Sequence, residues 1–335
     1  MNHSDANRDN TALVLGATGG VGGEVTRQLL AAGWHVRALT RRSAEDATAA
    51  SGAEGIEWLA GDAMHADDVA RAAEGCSVIV HAVNPPGYRN WSGTVLPMLD
   101  NTLAAATAQQ ATVVLPGTVY NFGPDALPTL REDSPQNPVT RKGAIRVELE
   151  RRLRQATTRG ARAIVVRAGD FFGPQPGSSW FSQGLVVPGK PVNVIRSPAT
   201  RGVGHQWAYL PDVARTMLAL LGRRDSLPAF CSVNFGGHWD QDGTEMVSAI
   251  QRVSARHGQT ATIKPFPWWA MPLIAPFQPT IKELLEMRYL WQTPVRMENA
   301  LLLQLLGEEP HTALDEAVER TLAGLGCLPA GHSER

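Results

Sequence analysis

Cysteine is scarce in this chain: Cys76, Cys231 and Cys327 are the three in 335 residues. Far apart and odd in number, they exclude a disulfide framework and a clustered thiolate metal site, and they fit a reducing, cytoplasmic setting with no bound metal. A charge excess is also missing. Lys and Arg number 31 against 32 Asp and Glu, so no long-range field draws the chain to nucleic acid or anionic lipid. Neither is expected as a partner; a small-molecule substrate is, and a homodimer is compatible with the sequence. No apolar run approaches the length of about 20 residues that spans a bilayer. The most apolar late stretch, Phe266 to Phe277, is interrupted by Pro267, Pro272 and Pro276. The first ten residues carry Asp5 and Asp9 where a signal peptide needs an apolar core; they and residues 327–335 read as flexible tails. Internal repeats and low-complexity tracts are lacking.

What is present is an alternation of apolar strands and amphipathic helices. Thr11 to Leu15 reads as a strand, followed by a glycine turn and a helix with Val25, Leu29 and Leu30 on one face. Further strands are predicted at Trp34 to Leu39, Ile56 to Leu59, Ser77 to Ala82, Thr112 to Leu115 and Ala163 to Val166. This order specifies right-handed crossovers and an α/β fold with a doubly wound parallel sheet, the Rossmann arrangement. After Gly173 and Pro174 the rhythm breaks. The expected organisation is a dinucleotide domain over residues 11–175, rejoined by 205–235, and a smaller, mainly helical C-terminal cap built from 176–204 and 236–326.

The turn after the first strand reads Gly16, Ala17, Thr18, Gly19, Gly20, Val21, Gly22. Gly16 permits the tight turn, Gly19 lets backbone amides approach a pyrophosphate, and Gly22 lets the helix pack closely on the sheet. The helix N-terminus then faces the anion with unpaired N–H groups. Thr18, Gly20 and Val21 belong to the same cofactor-binding turn. The end of the second strand chooses the dinucleotide: a carboxylate there would bind the ribose 2′-hydroxyl of NAD, whereas Thr40, Arg41 and Arg42 offer a guanidinium suited to the 2′-phosphate of NADP. Asp62 and Ala63 would border the adenine, or Asp62 would cap the next helix. Ala82 and Val83 would lie beneath the pyrophosphate and nicotinamide ribose.

Together with Gly61 and Asp62, the runs Val119 to Gly123, Arg167 to Pro174 and Tyr209 to Ala214 make residues 11–235 resemble the extended and atypical branches of the short-chain dehydrogenase/reductase superfamily, the NAD-dependent epimerase/dehydratase-like proteins. The resemblance implies a tyrosine that exchanges a proton with the substrate oxygen, a lysine four residues later, and a serine or threonine after the fifth strand. Here Lys142 stands in the tyrosine's place, Arg146 in the lysine's and Pro116 in that of the serine, with Thr118 two residues on.

At a spacing of four, Lys142 and Arg146 share one helix face and can point to a bound cofactor. A desolvated lysine beside a second cation can pass a proton near neutrality; two cations that only bind phosphate or ribose fit the pattern equally. Lys142, Arg146, Tyr120 and Thr118 are thus the catalytic candidates, with Lys142 also a cofactor contact. Tyr88, His205 and Trp207 are further pocket candidates, the last two equally readable as core, and Asp212 is read as a helix cap. Three functions compete. One is an NADP-dependent oxidoreductase or epimerase-like enzyme acting on a small, mainly apolar carbonyl or alcohol. The second is a non-catalytic, NADP-binding regulatory or redox-sensing protein, and the third a structural subunit that keeps NADP as a stabilising ligand. In the cap, Phe266 to Ile274 reads as a stiff irregular run before a helix from Ile281 to Leu290, with Trp269 either in the core or over the pocket.

Overall fold

A computed structural model of the chain describes residues 10–329, apart from 86–90, 178, 277, 279–280 and 282–284. Five parallel strands fill the first half: β1 (Thr11–Leu15), β2 (His35–Thr40), β3 (Ile56–Ala60), β4 (Val78–His81) and β5 (Thr112–Thr118). The two-residue β6 (Thr129–Leu130) lies outside that sheet, which β7 (Arg162–Ala168) and β11 (Phe230–Asn234) complete in the order β11-β7-β5-β4-β1-β2-β3. The order reverses between β1 and β4. In a doubly wound sheet this reversal opens the crevice in which a ligand sits, beyond the carboxyl ends of the strands.

The helices α1 (Gly20–Ala31), α2 (Ala44–Ser51), α3 (Ala66–Ala73), α4 (Trp91–Gln109) and α5 (Arg141–Thr157) make the crossovers. One face of the sheet buries Val25 and Leu29 of α1 together with Val213 and Met217 of α6 (Leu210–Leu221). The other buries Val69 of α3, Leu99 of α4 and Leu149 and Leu153 of α5. A sheet covered on both faces reads as continuous apolar runs, as β1 and β4 do. Strand ends differ from the sequence reading by one to three residues, and β5 and β7 extend furthest beyond it, to Thr118 and Ala168.

The cap is less helical than its composition suggests. Besides α7 (Glu245–Arg256), α8 (Met271–Ile274), α9 (Ala300–Leu306) and α10 (Leu314–Gly324), it holds three small sheets. In one of them β10 (His205–Tyr209) lies between β8 (Asp170–Phe172) and β12 (His238–Asp240). The chain therefore rejoins the main sheet through α6 and β11, while 205–209 stays with the cap. The paired strands β9 (Val194–Ser197) and β13 (Thr262–Pro265) form another. The third pairs β6 with β14 (Arg296–Met297) and fastens the late chain beside the Val119–Phe122 segment, where Met287, Leu290 and Met297 pack.

Four expectations need correction. Asp212 is inside α6, not at its cap; its buried carboxylate accepts from the Thr312 amide and hydroxyl and pairs with Arg215, so it anchors the C-terminal segment. Trp269 is 78% exposed, whereas Trp268 is half-buried, packing at a tilt against Trp180 and Phe266 and donating its indole N–H to the Pro198 carbonyl. Of the helix expected from Ile281 to Leu290, residues 282–284 lie outside the described residues and Arg288–Trp291 is a 3-10 turn. Cys327 is not part of a loose tail: it is buried, and its carbonyl accepts from Gln259. Among the described residues no helix is long and apolar enough to cross a membrane.

Candidate functional site

The site begins at the carboxyl end of β1. Gly16 takes φ +94°, and a Cβ there would lie 2.7 Å from the Ala82 carbonyl oxygen, so only glycine fits against the β4 exit. A Cβ on Gly22 would come within 2.2 Å of the Gly16 carbonyl oxygen, which explains the need for glycine where the helix crosses the turn. Gly19 is the N-cap of α1 and contributes no side-chain cap, so the first-turn amides of Gly20, Val21 and Gly22 remain the helix's unpaired donors. Thr18 and Gly19 are exposed beside them. This cradle of backbone donors at a positive helix end fits a pyrophosphate. Gly20 has a second role: without its side chain, Pro176 can approach so closely that a Cβ would lie 2.7 Å from the Pro176 carbonyl oxygen. Gln175, just before, accepts from Arg27 of α1. The loop after β8 thus straps the phosphate turn.

At the next two strand exits, Arg41 points a guanidinium at Asp62, 3.7 Å away, and Arg42 is exposed with its amide donating to Thr40. Asp62 accepts from the Met64 amide, closing a turn ahead of α3, whose N-cap is His65. The Ala63 carbonyl accepts from Asn101. Ala82 and Val83 lie at the β4 exit, half-buried.

The second half of the site is built on α5. Thr140 caps this helix by accepting from the Gly143 amide, and Gly143 is needed because a Cβ would meet the Tyr120 carbonyl oxygen at 2.3 Å. Lys142 and Arg146 do share a face. Both cations lie over the Trp91 ring, at 5.7 and 5.2 Å from its centroid, and Arg146 donates to Asn84 over 3.4 Å. Lys142 is only 5% exposed, so its charge is held largely out of water. Arg146 also acts on His81, which bonds Thr102; burial first, and the arginine's charge second, push that imidazole down to about 3. The Thr118 hydroxyl oxygen accepts the Tyr120 amide, and Tyr120 packs against the Val119–Phe122 cluster. Tyr88 lies outside the described residues.

Sequence reasoning missed two features. Trp91, the platform for both cations, follows a stretch with no motif. The other is the partner of the pocket candidate His205: Asp170, 35 residues away in the chain, meets it at 2.8 Å where β8 and β10 begin, with Trp291 stacked on the imidazole at 3.7 Å; only the cap's tertiary pairing reveals the pair. Elsewhere, a surface groove between α4 and α5 is lined by Asp100, Arg151, Arg152 and Arg159, far along both helices from the glycine turn, and Arg151 and Arg152 are already paired with acids. Asp212, His238 and His311 bring one ligand atom each within 4.8 Å of one another, but the Asp212 carboxylate is already occupied by Arg215 and Thr312.

Residues 16–152 match the NAD(P)H-binding family, so this stretch is an NAD(P)-binding Rossmann domain. No curated protein matches the chain in sequence. Among solved structures, UDP-glucose 4-epimerase from Brucella ovis in complex with NAD superposes with a TM-score of 0.71 at 15% identity, covering 95% of this chain and 98% of that one. UDP-glucuronic acid 4-epimerase from Bacillus cereus, in complex with UDP-glucuronic acid and NAD, gives 0.72 at 15% identity, with 94% and 98% covered. UDP-glucose 4-epimerase from Bifidobacterium longum, in complex with NAD and UDP, gives 0.66 at 13% identity, with 95% and 97% covered. The chain shares the fold of these three epimerase structures, cap included in the span.

Proposed function

We propose, from the premise that residues 16–152 are an NAD(P)-binding domain carried on the extended short-chain dehydrogenase/reductase fold, that the chain is an NADP-dependent, epimerase-like oxidoreductase acting on a mainly apolar carbonyl or alcohol. The observation that carries the reading is the pair of cations over Trp91. Lys142 and Arg146 stand one helix turn apart, beside the β4 exit, where the superfamily resemblance puts a tyrosine and a lysine. When bound, the nicotinamide would supply the hydride acceptor or donor. The chain supplies the rest. Gly16, Thr18, Gly19, Val21 and Gly22 would hold the pyrophosphate, Arg41 and Arg42 the 2′-phosphate, and Asp62, Ala63, Ala82 and Val83 the edges of the two nucleosides.

Lys142 would donate a hydrogen bond to the substrate oxygen and stabilise the negative charge that develops there, a role that a water-poor position strengthens. Arg146 would hold the nicotinamide ribose. The preference for an apolar substrate rests on the aromatic cluster of Trp180, Trp207, Trp268 and Trp291 in the cap. The competing reading, a redox-sensing protein that binds NADP without turnover, draws on the missing tyrosine. Following NADPH absorbance against aldehydes, ketones and quinones separates them. Turnover that falls roughly 10²- to 10³-fold in Lys142→Met, the cost of one oxyanion donor, with NADPH affinity kept, supports the enzyme; tight NADPH binding without turnover on any class supports the sensor. Arg146→Met should weaken NADPH binding as well.

A further inference from the structure

We propose that Asp170, positioned by His205, is the catalytic residue that takes the proton from the substrate hydroxyl and returns it in the reverse direction. The inference rests on the hydride-transfer reading and deepens it by giving the proton a destination.

Position comes first. Thr118 at the end of β5 pairs with Ala168 at the end of β7, and Asp170 is two residues further on. It therefore stands past the carboxyl edge of the sheet, on the side where doubly wound folds bind their ligands. Its carboxylate keeps 17% exposure although its partner is almost enclosed. The tyrosine that the resemblance puts forward for proton exchange is absent here, with Lys142 in its place, and Pro116 has no hydroxyl.

The pair is also built with its ring fixed. His205 Nε2 lies 2.8 Å from Asp170 Oδ2, and the imidazole is stacked on Trp291 at 3.7 Å and 10°, with Trp207 edge-on at 5.1 Å. His205 Nδ1 is buried with no hydrogen-bond partner among the described residues. A buried N–H left without an acceptor is rarer than a buried lone pair. We therefore assign the hydrogen to Nε2, where it is donated to the carboxylate, and the lone pair to Nδ1. An imidazole orienting a carboxylate in this way leaves Oδ1 as the oxygen to meet a ligand, and no described residue hydrogen-bonds it.

The chemistry balances without a further reagent. A secondary alcohol becoming a ketone loses one hydride from carbon, for which oxidised NADP is the acceptor, and one proton from oxygen. As the carbon–oxygen double bond forms, that proton passes to Asp170 Oδ1, while Lys142 donates to the same oxygen. Reduction runs the same transfers backwards.

The test compares wild type with Asp170→Asn, Asp170→Ala and His205→Asn. Turnover of secondary alcohols with NADP should fall roughly 10²- to 10⁴-fold in both Asp170 variants, the range for loss of a general base, with NADPH affinity by tryptophan fluorescence unchanged. Formate should restore part of the rate to Asp170→Ala, whose shortened side chain leaves room for it, but not to Asp170→Asn. Without cofactor, nitrogen NMR should show His205 protonated at Nε2, with a signal that moves in Asp170→Asn. His205→Asn should lower kcat and leave KM nearly as it was. Turnover of Asp170→Asn within twofold of wild type would overturn the proposal and leave hydride transfer standing. So would a loss that follows a lowered Tm and ignores formate. A wild type that binds NADPH yet turns over nothing would overturn the hydride-transfer reading and this inference together.

Discussion

Arg41 illustrates how much a single side chain can decide at the residue scale. It is exposed, at 67%, and its one ionic neighbour among the described residues is Asp62 at 3.7 Å, too distant and too wet to hold it with more than a fraction of a kcal/mol. A 2′-phosphate would engage the guanidinium through paired, charge-assisted bonds. Titrated by tryptophan fluorescence, wild type should bind NADPH more tightly than NADH, and Arg41→Ala should lose that preference while keeping its NADH affinity; equal affinities in wild type would end the assignment. Trp268 makes the matching prediction for substrate. Because it packs on Trp180 and Phe266 while Trp269 faces solvent, Trp268→Ala should raise KM for hydrophobic carbonyls and Trp269→Ala should change neither KM nor Tm. Sequence could not tell these neighbours apart: within an irregular, proline-broken run, no period assigns a face.

At the scale of elements, α5 shows one helix stripe doing two jobs. Lys142, Arg146 and Glu150 follow at intervals of four. The first two meet Trp91 at the site, whereas Glu150 forms a buried two-pronged pair with Arg167 of β7, at 3.0 and 2.6 Å, which fixes the helix to the sheet. Removing one partner strands a buried charge, so Glu150→Ala should cost about 3–5 kcal/mol, read from urea unfolding. Glu150→Leu combined with Arg167→Met should recover much of that loss. If the single and double variants are equally unstable, the pair is not what joins the two elements.

The elements themselves were legible wherever period and punctuation agreed: β1, the glycine turn and α1 stand where the residues place them, because a buried strand and a glycine crossing leave few alternatives. The shared face of Lys142 and Arg146 was legible for the same reason, since helix spacing alone fixes it. The cap was not. Its short strands draw their partners from distant segments, as Trp207 pairs with Asp170 and His238, and such pairings leave no local period. The pairing of Asp170 with His205 and the role of Asp212 were hidden with them.

For the whole molecule, acid should act through buried histidines. His81 is pushed down to about 3, by burial and then by Arg146, and His238 to about 4, by burial and then by His311, from an ordinary value of 6.5. Both folded values lie below the unfolded one, so the unfolded chain binds more protons in between. Stability should be full above pH 6.5 and fall as pH drops from there toward 4, each histidine contributing up to about 1.4 kcal/mol per pH unit. His81→Gln should flatten that slope in urea titrations at pH 7, 6 and 5. An unchanged slope would show that His81 takes up its proton in the folded state.

The glycine turn after β1 and the two cations over Trp91 stand at the carboxyl edge of one sheet, and an aromatic cluster fills the cap. That arrangement is proposed to pass hydride between NADP and a carbonyl, and following the hydride itself tests it most directly. NADPH carrying deuterium at nicotinamide C4 is incubated with the protein and a panel of hydrophobic aldehydes and ketones, and the products are weighed by mass spectrometry. The account predicts alcohol with one deuterium on the former carbonyl carbon, formed by wild type and strongly reduced in Lys142→Met. Saturated binding of the labelled cofactor with no deuterium in any product would contradict it.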